Sequence, residues 1–511
     1  MKNERNYAVL LSDILNELEC RVITGDPACE VTSVEFDSRR VTSGSVFVCI
    51  IGFSVDGHSF AGSAAKAGAS CVIVDSEREG FEDSELIEAV RGTSCVVAET
   101  KDTKKALAVA AAAIDGHPER GMNVYGITGT KGKTTSTFML KKILETSGKR
   151  SGLIGTVCNI IGDEKIEAKH TTPESSHIFG MMRSLREKDI DNLVMEVSSQ
   201  GLKLDRVYGI RYHAAAFTNL YEDHIGKNEH PDMQDYFNCK LKIFDSCDTA
   251  VVNADCEQAD EVIRYASDRC EVLTYGIESD ADFKAENLKL ERRGHVTGTR
   301  FNVTGKYLSG EFFVAIPGRF NVANALCAIA LAYCAGCGTE DMVRALSGIS
   351  VPGRMQPIEN NLGLNILVDY AHNAAALENA VKTLKECTEG RVITVFGCGG
   401  DRSKTRRFEM GEVSGNLSDY TVITSDNPRT EDPMAIIENI ITGINKTDGK
   451  YEVEADRASA IKRSISLAKP GDTVLIAGKG HEDYQIFADR TIHFDDAEQA
   501  LKAVKEIQDG V

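Results

Sequence analysis

The sequence predicts an α/β protein built in three regions, with mainly parallel sheets. Three observations carry this expectation. Apolar strand-like runs alternate with helix-like runs along most of the chain, the pattern of a parallel sheet covered by helices on both faces. A glycine-rich loop, GITGTKGKTT at Gly126–Thr135, joins one such strand directly to a helix. The length, 511 residues, suits roughly two to four domains.

The first region runs to residue 121. Its strand-like runs are CRVITG, VTSVEFDSRRV, GSVFVCI and SCVIVD, followed by the helix-like TKKALAVAAAAIDGH. Gly121, in HPERGMN, reads as the hinge into the second region, residues 122–350. That region opens with the strand NVYGIT, the glycine-rich loop and the helix STFMLKKILETSG, and continues through IDNLVMEVSS, YHAAAFTNL and DTAVVNAD. The more alternating stretch TYGIESDADFKAENLKLERRGHVTGTRFNVTG reads as an antiparallel appendage. The third region, 351–511, begins at VPGRMQPI and repeats the α/β pattern with NILVDY, RVITVFG, YTVIT and DTVLIAG. No internal repeat is visible.

Composition narrows the function classes. A hydrophobic content of 42% supports packed cores, and a net charge of −19 argues against a general nucleic-acid or anionic-membrane binder. No apolar run approaches the ~18 residues of a transmembrane helix. The start, MKNERNYAVLLSDIL, turns amphipathic at once, unlike a signal peptide. The 15 cysteines are scattered in apolar segments, which predicts reduced thiols in a cytoplasmic protein. Cys334 and Cys337 form a CxxC without a second pair and read as small core residues near a helix end.

The glycine-rich loop carries the strongest chemical signal. Strand, loop and helix in that order are what a phosphate loop needs, because glycines let backbone N–H groups approach phosphate oxygens at a helix N-terminus. Lys133 would reach the β- and γ-phosphates, and the Thr134 hydroxyl would face Mg²⁺. The spacing departs from GxxxxGK[ST]: the glycine pair is Gly129 and Gly132, with Gly126 one step too far. Glu196, in NLVMEVSS, falls at a strand's end, the edge where ligands sit in open α/β sheets, and suits a metal ligand. Downstream, AFTNLYEDHIGKNEHPDMQDYFNCKLKIF carries Asp223, His224, His230 and Lys240. The two histidines lack a following partner at zinc spacing. Lys240 and Lys242, read alone, are a solvated helix face. In TSDNPRTEDP, Pro428 stiffens a turn at a strand's end and sets Arg429 on it. A rigid arginine there suits a carboxylate or phosphate; the alternative is a surface arginine paired with Glu431 or Asp432.

Taken together, GTKGKTT, TTPESS, EVSSQGL, FTNLYEDH, GRFNVANALCAIA, VPGRMQ, VDYAH, FGCGGDRSKTRR, SDNPRTEDP and AGKGHEDYQ resemble, in order, the motifs of the Mur ligases. These are ATP-dependent amide-forming enzymes of bacterial peptidoglycan synthesis. The resemblance spans nearly the whole chain. Within the family, EVSS, GCGGDR, DNPR and GKGHE resemble the type that adds the third residue of the stem peptide. Two local departures are VDYAH continuing as NAAALE where Thr-Pro-Asp often stands, and the variant loop DHIGKNEHPD.

The resemblance implies a UDP-substrate-binding domain (1–121), a central ATP-binding domain (122–350) and a C-terminal, Rossmann-like ligase domain (351–511). It implies that Gly129, Thr130, Lys131, Gly132, Lys133, Thr134 and Thr135 hold ATP phosphates. Asn321 and Asn324 match adenine contacts, and Arg354 and Asp369 match residues that close over the nucleotide. Ser38, with Phe53, Ser54 and Val55, matches the UDP-substrate pocket. Thr171, Thr172, Ser198 and Arg206 match contacts to the muramoyl-peptide portion. Lys240 matches a lysine carried as its carbamate, N6-carboxylysine; with Thr134, Glu196 and His224 it would serve Mg²⁺. Lys133, Glu196, His224 and Lys240 form the implied catalytic set. Arg402, Asp426, Asn427, Pro428, Arg429, Gly478 and Glu482 match the amino-acid site. The implied reaction joins a diamino acid to UDP-N-acetylmuramoyl-L-alanyl-D-glutamate through an acyl phosphate, in a cytoplasmic monomer without nucleic-acid or membrane partners. Arg429 favours meso-diaminopimelate, which has a second carboxylate, over L-lysine. A folylpolyglutamate-synthase-like ligase and an ATP-dependent switch are the other readings; the former shares the phosphate loop but is not expected to carry the C-terminal motifs.

Overall fold

The computed structural model describes residues 8–18, 20–52, 55–78, 82–226, 229–294 and 296–509. They form two compact units. One extends to Tyr275 and takes in Ile329–Cys337; the other comprises Gly276–Ala328 and the chain from Gly338 on.

The first unit holds two sheets. The N-terminal sheet orders its strands Arg21–Thr24, Val96–Thr100, Cys71–Asp75, Ser45–Val48 and Ser33–Glu35. All pairings are parallel except that of Arg21–Thr24. The helix Thr103–Ile114 is capped by Asp102, whose carboxylate accepts from the amides of Lys104 and Lys105. Its alanines are small enough to bury most of the helix between the strand Ser33–Glu35 and the helix Ser175–Arg186.

The second sheet positions the chemistry. Within this unit its order is Glu164–Glu167, Cys158–Ile161, Ser151–Ile154, Asn192–Glu196, Asn123–Thr128, Tyr212–Phe217, Cys247–Asn253 and Glu271–Gly276. From Ser151–Ile154 onward the pairings are parallel. Helices cover both faces of a parallel sheet, so its strands read as continuous apolar runs; Val124, Ile127, Leu193, Val194, Ala215 and Phe217 are all fully buried.

In the other unit Phe283–Arg293, Val296–Thr304 and Gly310–Val314 pair antiparallel, as the alternating pattern predicts. The C-terminal sheet runs Gln356–Ile358, Asn365–Asp369, Thr473–Ala477, Val392–Phe396, Tyr420–Ile423, Tyr451–Val453. Only its first pairing is antiparallel. Beneath its carboxyl edge lies a fully buried ion pair. Arg457 Nη2 meets Asp496 at 2.6 Å and also donates to Ala477 O at 2.9 Å. All the described cysteines are free, and no helix among the described residues is long and apolar enough to cross a membrane.

Candidate active site

In the first unit, three adjacent parallel strands end side by side, and each delivers a site loop. After Asn123–Thr128 comes the phosphate loop. Gly132, at φ 92°, caps the helix Lys133–Thr146, leaving the first-turn amides without intrahelical acceptors and directed toward the loop. Gly129 has φ 139°, and a Cβ there would lie 2.0 Å from Thr218 Oγ1, so no other residue fits. The loop is tied to the end of the neighbouring strand Tyr212–Phe217. Thr130 N donates to Asn219 O (2.9 Å), Lys131 N to Asn219 Oδ1 (2.8 Å), and Thr218 Oγ1 to Lys131 O (2.7 Å). Lys133 Nζ folds back onto Gly129 O at 2.7 Å and Thr130 O at 3.1 Å. Thr135 is buried on the helix's first turn.

Glu196 ends the strand Asn192–Glu196 and is 1% exposed, so the strand-end prediction holds over a surface carboxylate. It accepts from Thr134 Oγ1 (3.0 Å), Thr156 N (2.8 Å) and Thr156 Oγ1 (3.0 Å). No basic side chain pairs with it among the described residues. The Thr171 hydroxyl lies 3.0 Å from that of Thr156, and Thr172 Oγ1 donates to Glu196 O at 3.0 Å while accepting from Ser198 N at 2.9 Å. Arg206 donates to Thr172 O and pairs with Glu174. Thr134 thus meets the buried carboxylate directly, and a hydrogen-bonded chain through Thr156 and the Glu196 backbone links Thr171, Thr172, Ser198 and Arg206 to it. Ser38 opens a tight turn capped by Asp37, whose neighbour Arg40 reaches His177 at 3.3 Å. Val55 is exposed; Phe53 and Ser54 lie outside the described residues.

Lys240 overturns the bland reading of its helix. It is 1% exposed, and its Nζ donates to Gly129 O at 3.0 Å. Burial first, then the Lys133 ammonium, hold it well below the usual lysine range. His224, with φ 57°, is half exposed and its Nδ1 meets Glu229 Oε1 at 3.0 Å. His230 is buried instead, between Asp235 (2.6 Å) and Ser199 Oγ (2.9 Å). Thr156 and this His230 arrangement escaped sequence reasoning, since neither falls at an interpretable spacing.

The other unit gathers the C-terminal motifs at the carboxyl ends of its strands. After Tyr420–Ile423, Asp426, Asn427 and Pro428 are buried. Asn427 Nδ2 donates to Glu482 Oε2 at 2.8 Å. Arg429 takes φ 51°, and its Nη1 donates to Gly400 O at 2.8 Å. Glu431 is engaged elsewhere, by the buried Arg407 at 2.6 Å, so Arg429 is not consumed by the acidic turn. Arg402 is exposed, with no hydrogen-bond partner among the described residues. Gly478 has φ 113° and Asp426 Oδ2 packed against it. Burial pushes the Glu482 carboxyl up, while Lys479 beside it pulls down.

Arg354 stacks over Tyr370, 4.7 Å from the ring centroid. Asp369 accepts from Met355 N (2.8 Å) and Ala371 N (2.9 Å). These loops interlock with GKGHE: a Cβ on Gly353 would lie 2.2 Å from His481 N, and one on Gly480 would lie 2.7 Å from Tyr370 Cβ. His481 is held down to about 4, chiefly by burial and then by Arg354, and its Nδ1 is buried without a partner among the described residues. Asn321 and Asn324, at the start of the helix Arg319–Cys334, are buried and bonded to each other at 3.2 Å.

The chain is similar to known proteins along nearly its whole length. Family models match in three segments: "Mur ligase family, catalytic domain" over residues 30–120, "Mur ligase middle domain" over 127–332, and "Mur ligase, glutamate ligase domain" over 353–480. The chain belongs to the Mur ligase family, with its three-domain α/β architecture. Within that family, it is 41% identical over 500 residues to the UDP-N-acetylmuramoyl-L-alanyl-D-glutamate–2,6-diaminopimelate ligase of Clostridium botulinum, covering 97% of this chain and 100% of the relative. The like-named ligase of Clostridium perfringens is 40% identical, covering 96% and 98%. A solved structure of a ligase of that name aligns with a TM-score of 0.72 at 27% identity, covering 98% of this chain and 99% of its own.

Proposed function

We infer that this protein is an ATP-dependent ligase, joining meso-2,6-diaminopimelate to UDP-N-acetylmuramoyl-L-alanyl-D-glutamate in peptidoglycan synthesis. The observation that carries the amino-acid assignment is the pairing of chemistries at one sheet edge. A guanidinium on a rigid turn, Arg429, and a partly buried carboxylate, Glu482, are both linked to the Asp426–Asn427–Pro428 segment. Diaminopimelate offers a carboxylate and an ammonium at each end. L-Lysine would leave Arg429 facing a like charge. Arg402 and Gly478 complete this site.

Amide formation from a carboxylate is uphill in water, and phosphorylation makes the carboxylate an acyl donor. The amine then attacks and phosphate leaves. Two anions must meet, the substrate carboxylate and the γ-phosphate, so positioning and charge stabilisation are the task. Gly129 to Thr135 cradle the phosphates and Lys133 neutralises the γ-phosphate. Asn321 and Asn324 serve the adenine, and Arg354 and Asp369 the nucleotide. Thr134, Glu196, His224 and Lys240 as its carbamate would hold Mg²⁺, and a buried Glu196 carboxylate that has hydrogen-bond donors but no basic partner among the described residues fits a cation. Bound there, the ion would offset phosphate charge. Lys240 as a neutral amine adds to CO₂ and releases a proton, forming a carbamate that carries a negative charge. Ser38, Phe53, Ser54 and Val55 bind the UDP portion, and Thr171, Thr172, Ser198 and Arg206 the muramoyl peptide. The corresponding domains are 1–121, 122–350 and 351–511. A cytoplasmic monomer without nucleic-acid or membrane partners fits the charge and the free cysteines.

The test is product analysis by mass spectrometry with ATP, the UDP-dipeptide and either amino acid. Incorporation of diaminopimelate in preference to L-lysine is expected; the reverse overturns the amino-acid assignment. Phosphate release that is equally fast without both co-substrates overturns the ligase reading in favour of a switch.

A further inference from the structure

The amino-acid site contains a cation that none of the roles above uses. Lys479 is completely buried. Its Nζ lies 3.3 Å from Glu482 Oε2, 3.4 Å from Asn427 Oδ1 and 2.5 Å from Tyr484 O, with the Tyr484 ring 5.3 Å away. A buried ammonium is costly unless acceptors surround it, and here they are the residues that form the site.

Two consequences follow from the geometry. Asn427 Oδ1 accepts from both Lys479 Nζ and Ile486 N, the latter at 3.0 Å. That fixes which way the amide faces, so its Nδ2 must point at Glu482 Oε2. Glu482 Oε2 therefore receives two inward donors, while Oε1 has no hydrogen-bond partner among the described residues and the side chain is 19% exposed. One oxygen is anchored and the other is presented.

We propose that Lys479 is a positioning residue of the amino-acid site: it holds Glu482 as a carboxylate and orients Asn427, so that Glu482 Oε1 receives an ammonium of the incoming amino acid. This rests on the amino-acid site proposed above. The groups facing Glu482 from the surrounding elements are Asp426, Tyr370, Tyr484 and Arg457. Burial and Asp426 both favour the protonated acid, and a protonated acid loses its charge attraction for an ammonium. Lys479 opposes them most strongly, with the Asn427 amide acting in the same direction.

The test compares Lys479→Met with the unaltered protein. Near neutral pH, kcat/KM for the amino acid should fall roughly 10- to 100-fold, the size expected for a lost charged hydrogen bond. The KM values for ATP and the UDP-dipeptide should hold. The loss should shrink as pH rises and Glu482 deprotonates, and should nearly vanish in a Glu482→Gln background. A loss independent of pH, an equal loss for all three substrates, or full additivity with Glu482→Gln overturns the proposal. Should the variant not fold, carboxyl-carbon NMR of the unaltered protein decides, with Glu482 assigned through Glu482→Gln. An ionised Glu482 at neutral pH supports the role and a protonated one overturns it. If the protein uses L-lysine instead, the diaminopimelate assignment fails by itself, and the same pH comparison with L-lysine still tests Lys479.

Discussion

Single side chains separate what chemistry could be read from sequence from what required the fold. The place of Lys133 at the start of the helix after a glycine-rich loop was legible because a strand–loop–helix unit has a local signature. Lys133→Ala is expected to lower turnover at least about 100-fold with an unchanged circular dichroism spectrum; near-normal turnover would remove it from the mechanism. Lys240 was legible only by resemblance, because nothing in NCKLKIF distinguishes a buried lysine from a solvated one. Its burial beside Lys133 favours the neutral amine, the form that the proposed carbamate needs. Lys240→Ala should be nearly inactive, with partial rescue by short-chain carboxylic acids standing in for the carbamate; a fully active variant refutes the modification. For Arg429, the open question was its partner, and the fold answers by giving Glu431 to Arg407. Arg429→Ala should lose roughly 2–5 kcal/mol of transition-state binding for diaminopimelate, much of it the cost of an unpaired carboxylate. The KM for ATP should not move, and unchanged diaminopimelate turnover would contradict the assignment.

Helices and strands were largely legible, since period-2 and period-3.6 patterns are local. The strand Asn123–Thr128 matches the sequence expectation, while the helix expected from Ser136 begins at Lys133 and the antiparallel stretch expected from Thr274 begins at Phe283. What was not legible is long-range: the order of strands in a sheet, and ties such as Arg457–Asp496 between helices that begin 39 residues apart. That tie supports the strand ends from which the loops of Asn427 and Gly478 depart, because Arg457 also bonds Ala477 O and lies 3.4 Å from Ser425 O. Arg457→Met leaves Asp496 buried without its partner. It should destabilise by about 3–5 kcal/mol, seen as a lowered melting temperature, while Asp496→Asn with Arg457→Met together should recover part of the loss. A melting temperature equal to that of the unaltered protein would show the pair to be incidental.

At the scale of the whole molecule, stability should carry the imprint of the C-terminal site. His481 is held neutral in the fold, down to about 4 from an ordinary 6.5. A depressed histidine contributes stability that is complete above about 6.5 and is lost as pH falls toward about 4. The contribution is up to about 3 kcal/mol. Melting curves should therefore fall more steeply over that window for the unaltered protein than for His481→Asn; parallel curves would mean that the ring titrates normally. The interlocked glycines have a further consequence. Gly353 leaves no room between the loop of Arg354 and the backbone of His481, and Gly480 leaves none against Tyr370. Loops so closely fitted shift together or not at all. On the binding roles proposed above for Arg354, Asp369 and Glu482, any effect of nucleotide on amino-acid affinity is matched by an equal factor in return, because equilibrium coupling is reciprocal. The strength of that coupling would then be a property of two missing methyl groups.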